Sequence, residues 1–509
     1  MIALPALSAL FAATLSLELV AVNAHGPHGA FHAHRGLAHK RQAPTDSVLL
    51  AADAASSSTS VVLSLSATGT TSVSPAGAAT SAAGTPAGTV VTSAAAGAPS
   101  VAGATGAPGV TTSAAPTAAS SADIGTGVYD VPPLASITMG MPVGPVPSLT
   151  TTYTPGASPT YLSGAPPLPT KFVFNAADWP ELDKIPPTDS DQVKEWMKEL
   201  DGVDIPDITP TQDGSCAGDP EAAAQAKERG WWTCGGWTDG NDIVDCPDKM
   251  TWGVSFDDGP APYSEKLLKY LDDKDLSATF FVVGSRVVSY PDILIAEYMA
   301  GHEIAVHTWS HHPLTAMTNE QIVAELGWTR LAIQKVLGVT PVMMRAPFGD
   351  IDNRVRAISN AMGLRPIIWT TGPGGPFDTN DWHVPAGTVT GEQQYEIFQG
   401  LLGNATLMDN GFIVLEHDLF EITVDLAVGY TLDAAMSHNP PFHLESIGQC
   451  LSIPATDMYA ETNTNTSNSS GQRSSGAAAD GSSSSGAAPR FVASALAGVG
   501  AVVVLAGLL

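Results

Sequence analysis

Val254-Ser255-Phe256-Asp257-Asp258-Gly259-Pro260 joins an apolar run to a polar turn. From Thr251 to Phe256 the residues carry no charge and are rich in β-branched and aromatic types, which predicts a buried strand. Two adjacent carboxylates follow, and Gly259-Pro260 stops the strand and starts a turn. Side chains on an extended chain alternate between faces, so Asp257 and Asp258 are expected to do different jobs. One holds a cation; the other stands beside it as a base. Taken alone, Asp-Asp-Gly-Pro is only a polar turn, and its chemistry depends on what lies downstream.

Five further strand candidates follow: Ala278–Val283, Glu303–Val306, Pro341–Met344, Pro366–Trp369 and Gly411–Leu415. Helical patterns lie between them, clearest at Asn319–Leu337. There Thr318 and Gln321 form a capping box, Ile322, Leu326, Ile333 and Leu337 make one apolar stripe, and Gly338 marks the stop. The alternation predicts an α/β fold, a parallel sheet with helices outside, closed or nearly closed into a barrel.

Residues able to do chemistry stand at the C-terminal ends of these strands, where such barrels build active sites. His307-Thr308-Trp309-Ser310-His311 follows the third. In a helical turn the i, i+4 spacing puts both imidazoles on one face, and a carboxylate from a neighbouring strand would complete a cation site. Arg345 follows the fourth, placed to keep a carboxylate ionised or to form a structural ion pair. Asp378-Thr379-Asn380-Asp381-Trp382 comes after a Gly/Pro-rich loop, and Leu415-Glu416-His417-Asp418 ends the last strand. A histidine there suits general acid catalysis, with a carboxylate on its other nitrogen fixing the tautomer.

In that order, FDDGP, HTWSH, RAPFG, DTNDW and LEHD resemble the five motifs of the polysaccharide deacetylase (NodB-like) family, carbohydrate esterase family 4. The likeness covers roughly Cys246 to Cys450 and is closest in kind to fungal wall chitin deacetylases. It implies a distorted (β/α) barrel with one divalent metal, Zn²⁺ first and Co²⁺ as the alternative. The implied ligands are Asp258, His307 and His311. His312 is the alternative second histidine, because Pro313 follows it directly. Asp257 is the implied base with Arg345 as its partner, and His417, tuned by Asp381, is the implied acid. Phe348 is implied to offer its backbone N–H to an oxyanion, and Trp382 and Leu415 to line a pocket for the acetyl methyl. The implied reaction removes N-acetyl groups from N-acetylglucosamine residues of chitin or its oligosaccharides, giving chitosan and acetate. The alternatives are the same chemistry on xylan or peptidoglycan, or a catalytically dead glycan-binding barrel. Gly372-Pro373-Gly374-Gly375-Pro376 departs from the family pattern as an insertion, expected to reshape a subsite wall.

The four cysteines allow three pairings and fit an oxidising compartment. Cys246–Cys450 is expected, because the two flank the barrel and the family often carries a pair there; Cys216–Cys234 then follows. Asn404, Asn465 and Asn468 stand in glycosylation sequons.

Composition divides the rest. Residues 1–24 read as a signal peptide, and 25–41, ending in Lys40-Arg41, as a processed propeptide. Residues 42–169 are rich in Ser, Thr, Ala, Gly and Pro and read as a disordered stalk, too poor in large apolar side chains to offset backbone entropy. Residues 170–245 hold Trp179, Trp196, Trp231, Trp232 and Trp237 and read as an extension packed on the catalytic domain, 246–458, or as a sugar-stacking surface. A Ser/Gly-rich linker (459–490) and an apolar tail (491–509) fit a GPI-attachment signal, which places the chain at the plasma membrane or cell wall. A net charge of −28 argues against nucleic-acid binding. A monomer is expected.

Overall fold

The computed structural model describes residues 129–463. Its strands are β1 (Thr251–Asp257), β2 (Thr279–Val282), β3 (Glu303–Val306), β4 (Met343–Met344), β5 (Arg365–Pro366), β6 (Thr371–Gly372), β7 (Gly375–Pro376), β8 (Phe412–Ile413) and β9 (His443–Ser446). The helices around the sheet include α1 (Ser264–Asp273), α2 (Gly284–Ser289), α3 (Pro291–Met299), α4 (Asn319–Leu337), α5 (Asn353–Ala361), α6 (Gly391–Ala405) and α7 (Glu421–Leu426). The sheet runs β5–β4–β3–β2–β1–β8, all parallel. Every residue of β1, β2 and β3 is buried, as expected of strands covered on both faces.

The gap between β5 and β8 is closed without a regular ladder. Thr370 N–H donates to Ile413 O at 3.0 Å, and Leu415 N–H donates to Phe377 O at 2.9 Å. This irregular closure explains why the fifth and sixth strands are shorter than the apolar runs that predicted them. The α4 helix begins and ends where its caps place it: Gln321 N–H donates to Thr318 Oγ1 at 3.3 Å, and Gly338 takes φ 82°.

Strand β9 is not among the expected strands, because His443-Leu444-Glu445-Ser446 is polar at alternate positions and only half buried. It pairs with β1 along 251–254, where β2 has not yet begun to pair; β2 takes over along 255–257. Across the base of the barrel Cys246 and Cys450 form one disulfide, and Cys216 and Cys234 form the other. Gly253 makes room for the first: a Cβ there would lie 2.8 Å from Cys246 Sγ.

Residues 129–169 correct the expected extent of the stalk. They are packed, with Val131, Ile137, Leu162 and Leu168 buried in the same core as the barrel. Tyr430 Oη donates to Pro132 O, Thr150 N–H to Glu265 Oε1, and Gly391 N–H to Ile137 O. Scattered large side chains in this Pro-rich strap found barrel partners that composition alone could not reveal. Further along, Tyr161 meets Tyr298 of α3, Trp179 and Trp196 meet Trp328 of α4, and Asp242 meets Arg356 of α5. From Tyr161 onward the chain thus meets α3, α4 and α5 in chain order. Of the tryptophans expected as packing residues, Trp231 is fully buried and Trp179, Trp196 and Trp232 are partly buried against the core, whereas Trp237 is exposed.

Among the described residues no helix is long and apolar enough to cross a membrane. The leader, the tail, Asn465 and Asn468 lie outside the described residues. Asn404 is near the end of α6 and only partly buried.

Candidate metal centre and catalytic pocket

Asp257 is the last residue of β1, and its N–H donates to Glu416 O at 2.9 Å. Asp258 leaves the strand with φ 81°, a left-handed conformation that costs a non-glycine residue energy. This single torsion corrects the expectation from alternation. Both carboxylates reach one pocket, instead of facing opposite ways. They share His307, whose Nε2 lies 3.9 Å from Asp257 Oδ2, but otherwise meet different partners there. Asp257 Oδ1 accepts from Arg345 Nη1 at 2.6 Å, while Asp258 Oδ1 lies 2.9 Å from His311 Nε2 and 3.5 Å from His307 Nε2.

The two histidines are not on a helix, as the i, i+4 argument supposed. His307 follows β3 directly, and the chain to His311 is a loop in which Thr308 and His311 take φ 64° and 57°. The imidazoles nevertheless converge, with ring centroids 5.0 Å apart. The Nδ1 of His307 lies 2.8 Å from Arg345 O; donating a proton to that carbonyl leaves Nε2 as the lone-pair nitrogen facing Asp258. His312 turns to Ser310, its Nδ1 2.8 Å from Ser310 Oγ, so His311 is the histidine that joins Asp258 and His307.

One ligand atom from each of Asp258, His307 and His311 lies within 4.8 Å of the others. Protonation states suit a cation as well. Burial pushes the His311 imidazole down to about 3, against the pull of Asp258, so it is neutral. Burial also opposes charge on Asp258, but the neighbouring His311, His307 and Arg286 hold its carboxyl well below the usual range. A buried anionic oxygen with two imidazole nitrogens beside it can hold a divalent metal.

His417 faces this triad from the stretch that follows β8, bridged to Asp257. Its Nδ1 lies 2.8 Å from Asp381 Oδ1, and its own N–H donates to Asp381 Oδ2 at 2.8 Å. Burial alone would lower its pKa; the Asp381 carboxylate, helped by Asp258 and Asp257, outweighs that and raises it to about 10. The Arg345 guanidinium is fully buried, 4.0 Å from the Phe281 ring centroid.

Trp382 and Leu415 line the pocket, and Phe348, at φ 63°, sets its ring 4.6 Å from that of His311. Trp369 and Asp378 also line it, though sequence reasoning gave neither a role. Their places, one ending an expected strand and one opening the DTNDW stretch, were the available signal. Burial pushes the Asp378 carboxyl up to about 6. The Gly/Pro insertion forms the β6–β7 hairpin, where a Cβ on Gly372 would meet Phe377 and Met408 and one on Gly374 would meet Asn404; its residues are not among those that line this pocket.

A parallel barrel whose strand ends gather an Asp-His-His donor set, an arginine-held carboxylate and a His-Asp dyad defines a class of proteins whose acid–base pocket could hold one divalent cation. The chain belongs to the polysaccharide deacetylase family: the family model of that description matches residues 245–367. Chitin deacetylase 1 of Cryptococcus neoformans var. grubii is 50% identical over 342 residues, 66% of this chain and 72% of that one. Chitin deacetylase of Amylomyces rouxii is 33% identical over 279 residues, 50% of this chain and 63% of that one. Among solved structures, the chitin deacetylase from Colletotrichum lindemuthianum is 24% identical, with a TM-score of 0.39, covering 44% of this chain and 97% of that one.

Proposed function

We propose that the protein hydrolyses the N-acetyl groups of N-acetylglucosamine residues in chitin, releasing acetate and leaving chitosan. The observation that carries this reading is the pairing of Asp257 with Arg345 and of His417 with Asp381 around one triad. The names of the relatives supply the substrate.

Zn²⁺, or Co²⁺ in its place, would be held by Asp258, His307 and His311, and would acidify a water and polarise the acetamide carbonyl. Asp257, aimed by its ion pair with Arg345, takes the proton of the attacking water. His417, protonated because Asp381 holds it so, gives a proton to the amide nitrogen as the C–N bond breaks. Trp369, Trp382 and Leu415 offer the acetyl methyl an apolar wall and keep bulk water from the reacting atoms. The products are a free amine on the sugar and acetate.

Acetate release from chitin oligomers, with and without a chelator, tests the reading. Release that stops on chelation and returns with Zn²⁺ is expected. Release from acetyl-xylan or peptidoglycan but not from chitin oligomers would overturn the substrate, and release unaffected by metal removal would overturn the mechanism.

The same proposal places the chain at the cell surface on a GPI anchor, supported by the polar spacer and apolar tail of the sequence. A phosphatidylinositol-specific phospholipase should release it from membranes; retention with the tail peptide still attached would refute the anchor.

A further inference from the structure

The loop carrying both histidines is short, strained at two residues and outside any helix or strand, so something must hold it. The α4 helix packs beneath it, and its buried side carries two polar residues a turn apart: Thr329, whose Oγ1 donates to Glu325 O at 2.8 Å, and Glu325, whose carboxylate is fully buried. Trp309 N–H donates to Glu325 Oε2 at 2.8 Å, and Ser310 N–H to the same oxygen at 2.9 Å. Ser310 Oγ donates to the other carboxylate oxygen, Oε1. Three donors from the two residues between the histidines' flanking positions therefore converge on one side chain. On the loop's outer side the Trp309 ring lies flat against Trp179, 5.9 Å away with 3° between planes, and its Nε1–H donates to Glu181 O at 3.1 Å. Thr308 Oγ1 accepts the N–H of His311 at 3.1 Å, which passes the constraint on to the second histidine.

We infer that Glu325 is a positioning residue for the metal centre: it clamps the Thr308–Ser310 backbone in the conformation that brings His311 to Asp258. This rests on the metal site proposed above. Glu325 touches neither substrate nor the ligand nitrogens. Its effect runs through backbone N–H groups that no other acceptor in the loop serves so directly. A buried carboxylate left with no donors would be costly, and donors left with no acceptor equally so. The pairing therefore selects one loop conformation over others.

The test is Zn²⁺ binding to the metal-free full chain, measured as stoichiometry and dissociation constant, for wild type, Glu325→Gln, Glu325→Ala and Ser310→Ala. Glu325→Gln keeps the volume and one acceptor oxygen, so it remains informative if Glu325→Ala fails to fold. The expected result is one Zn²⁺ per wild-type chain and a dissociation constant raised at least about tenfold in Glu325→Gln. Ser310→Ala, which removes one donor of three, should show a smaller rise. Near-UV circular dichroism of metal-free Glu325→Gln should match wild type, and saturating Zn²⁺ should return its acetate release to within about threefold. Zn²⁺ affinity within twofold of wild type in Glu325→Gln would overturn the inference. So would weakened binding accompanied by loss of the near-UV signal, which is what a merely structural role gives. A wild-type chain that binds no Zn²⁺ would instead overturn the metal centre, and this inference with it.

Discussion

Asp257 and Asp258 are separated by one peptide bond, and the φ of 81° at Asp258 decides what each meets. Asp258→Asn replaces an anionic donor between two imidazoles with a neutral one. Bound metal should fall, and added Zn²⁺ should restore part of the activity. Asp257→Asn should keep its metal and lose activity by about 10²–10⁴, the range for a lost general base, with no rescue by Zn²⁺. Bound zinc and acetate release measured on both variants separate these outcomes; zinc lost from Asp257→Asn and kept by Asp258→Asn would reverse the roles. The His417–Asp381 pair makes a pH prediction. His417 acts as an acid only while protonated, and its raised pKa, about 10, keeps it so through neutral pH. A cation at the triad cancels part of the pull of Asp257 and Asp258, so the alkaline limb of the loaded enzyme lies below that value. Asp381→Asn removes the largest pull and lets burial lower the pKa. The alkaline limb of the pH–rate profile should therefore move down toward the ordinary histidine range, about 6.5. An unmoved limb would exclude His417 as the acid. These residue types and their order along the chain were legible in the sequence. The torsions at Asp258, Thr308 and His311 were not, because left-handed conformations at Asp, Thr and His leave no mark in composition or periodicity.

At the scale of elements, the long capped helix α4 and the apolar strands β1 to β3 could be read directly, since propensity, caps and burial all agree there. Strands β4, β5 and β8 shrink to two residues each, because the chain beyond them pairs irregularly to close the barrel. Strand β9 escaped because its pattern belongs to a half-exposed edge, although it covers the lower half of β1 through four register pairs. Between β9 and the disulfide lies a tight place, Gly253. Gly253→Ala would push a methyl to 2.8 Å from Cys246 Sγ and 3.3 Å from both Cys450 Sγ and Ile413 Cγ1. Overpacking of this kind costs about 1–3 kcal/mol. A lower melting temperature with zinc binding unchanged is expected, since the metal centre sits at the opposite end of the strand. An unchanged melting temperature would mean that the disulfide shifts freely, and that this end of the barrel is looser than its packing suggests.

For the molecule as a whole, the strap is the part that composition misjudged, and it carries the last prediction. The sequence places the end of the stalk at 169, yet from 129 onward the chain is laid against the barrel. Ile137 is fully buried, and Gly391 packs against it so closely that a Cβ there would lie 2.8 Å from Ile137 Cβ. Val131 covers Gly429 in the same way. Farther along, Tyr161 stacks edge-on to Tyr298, and Leu168 N–H donates to Ala157 O at 2.7 Å. Each large apolar side chain buried this way gains about 1.5–3 kcal/mol, and the entropy of ordering the strap opposes that gain. The strap's effect falls on the helices that it covers. A chain beginning at residue 125 should melt with the full-length protein. One beginning at residue 170 should melt several degrees lower and bind a hydrophobic dye, because the faces of α6 and α3 under Ile137 and Tyr161 become exposed to water. Zinc binding at low temperature should survive in both, since no residue of the strap before 170 is among those that form the triad or line its pocket. Equal melting of the two chains would show that the strap is laid on a barrel already complete without it.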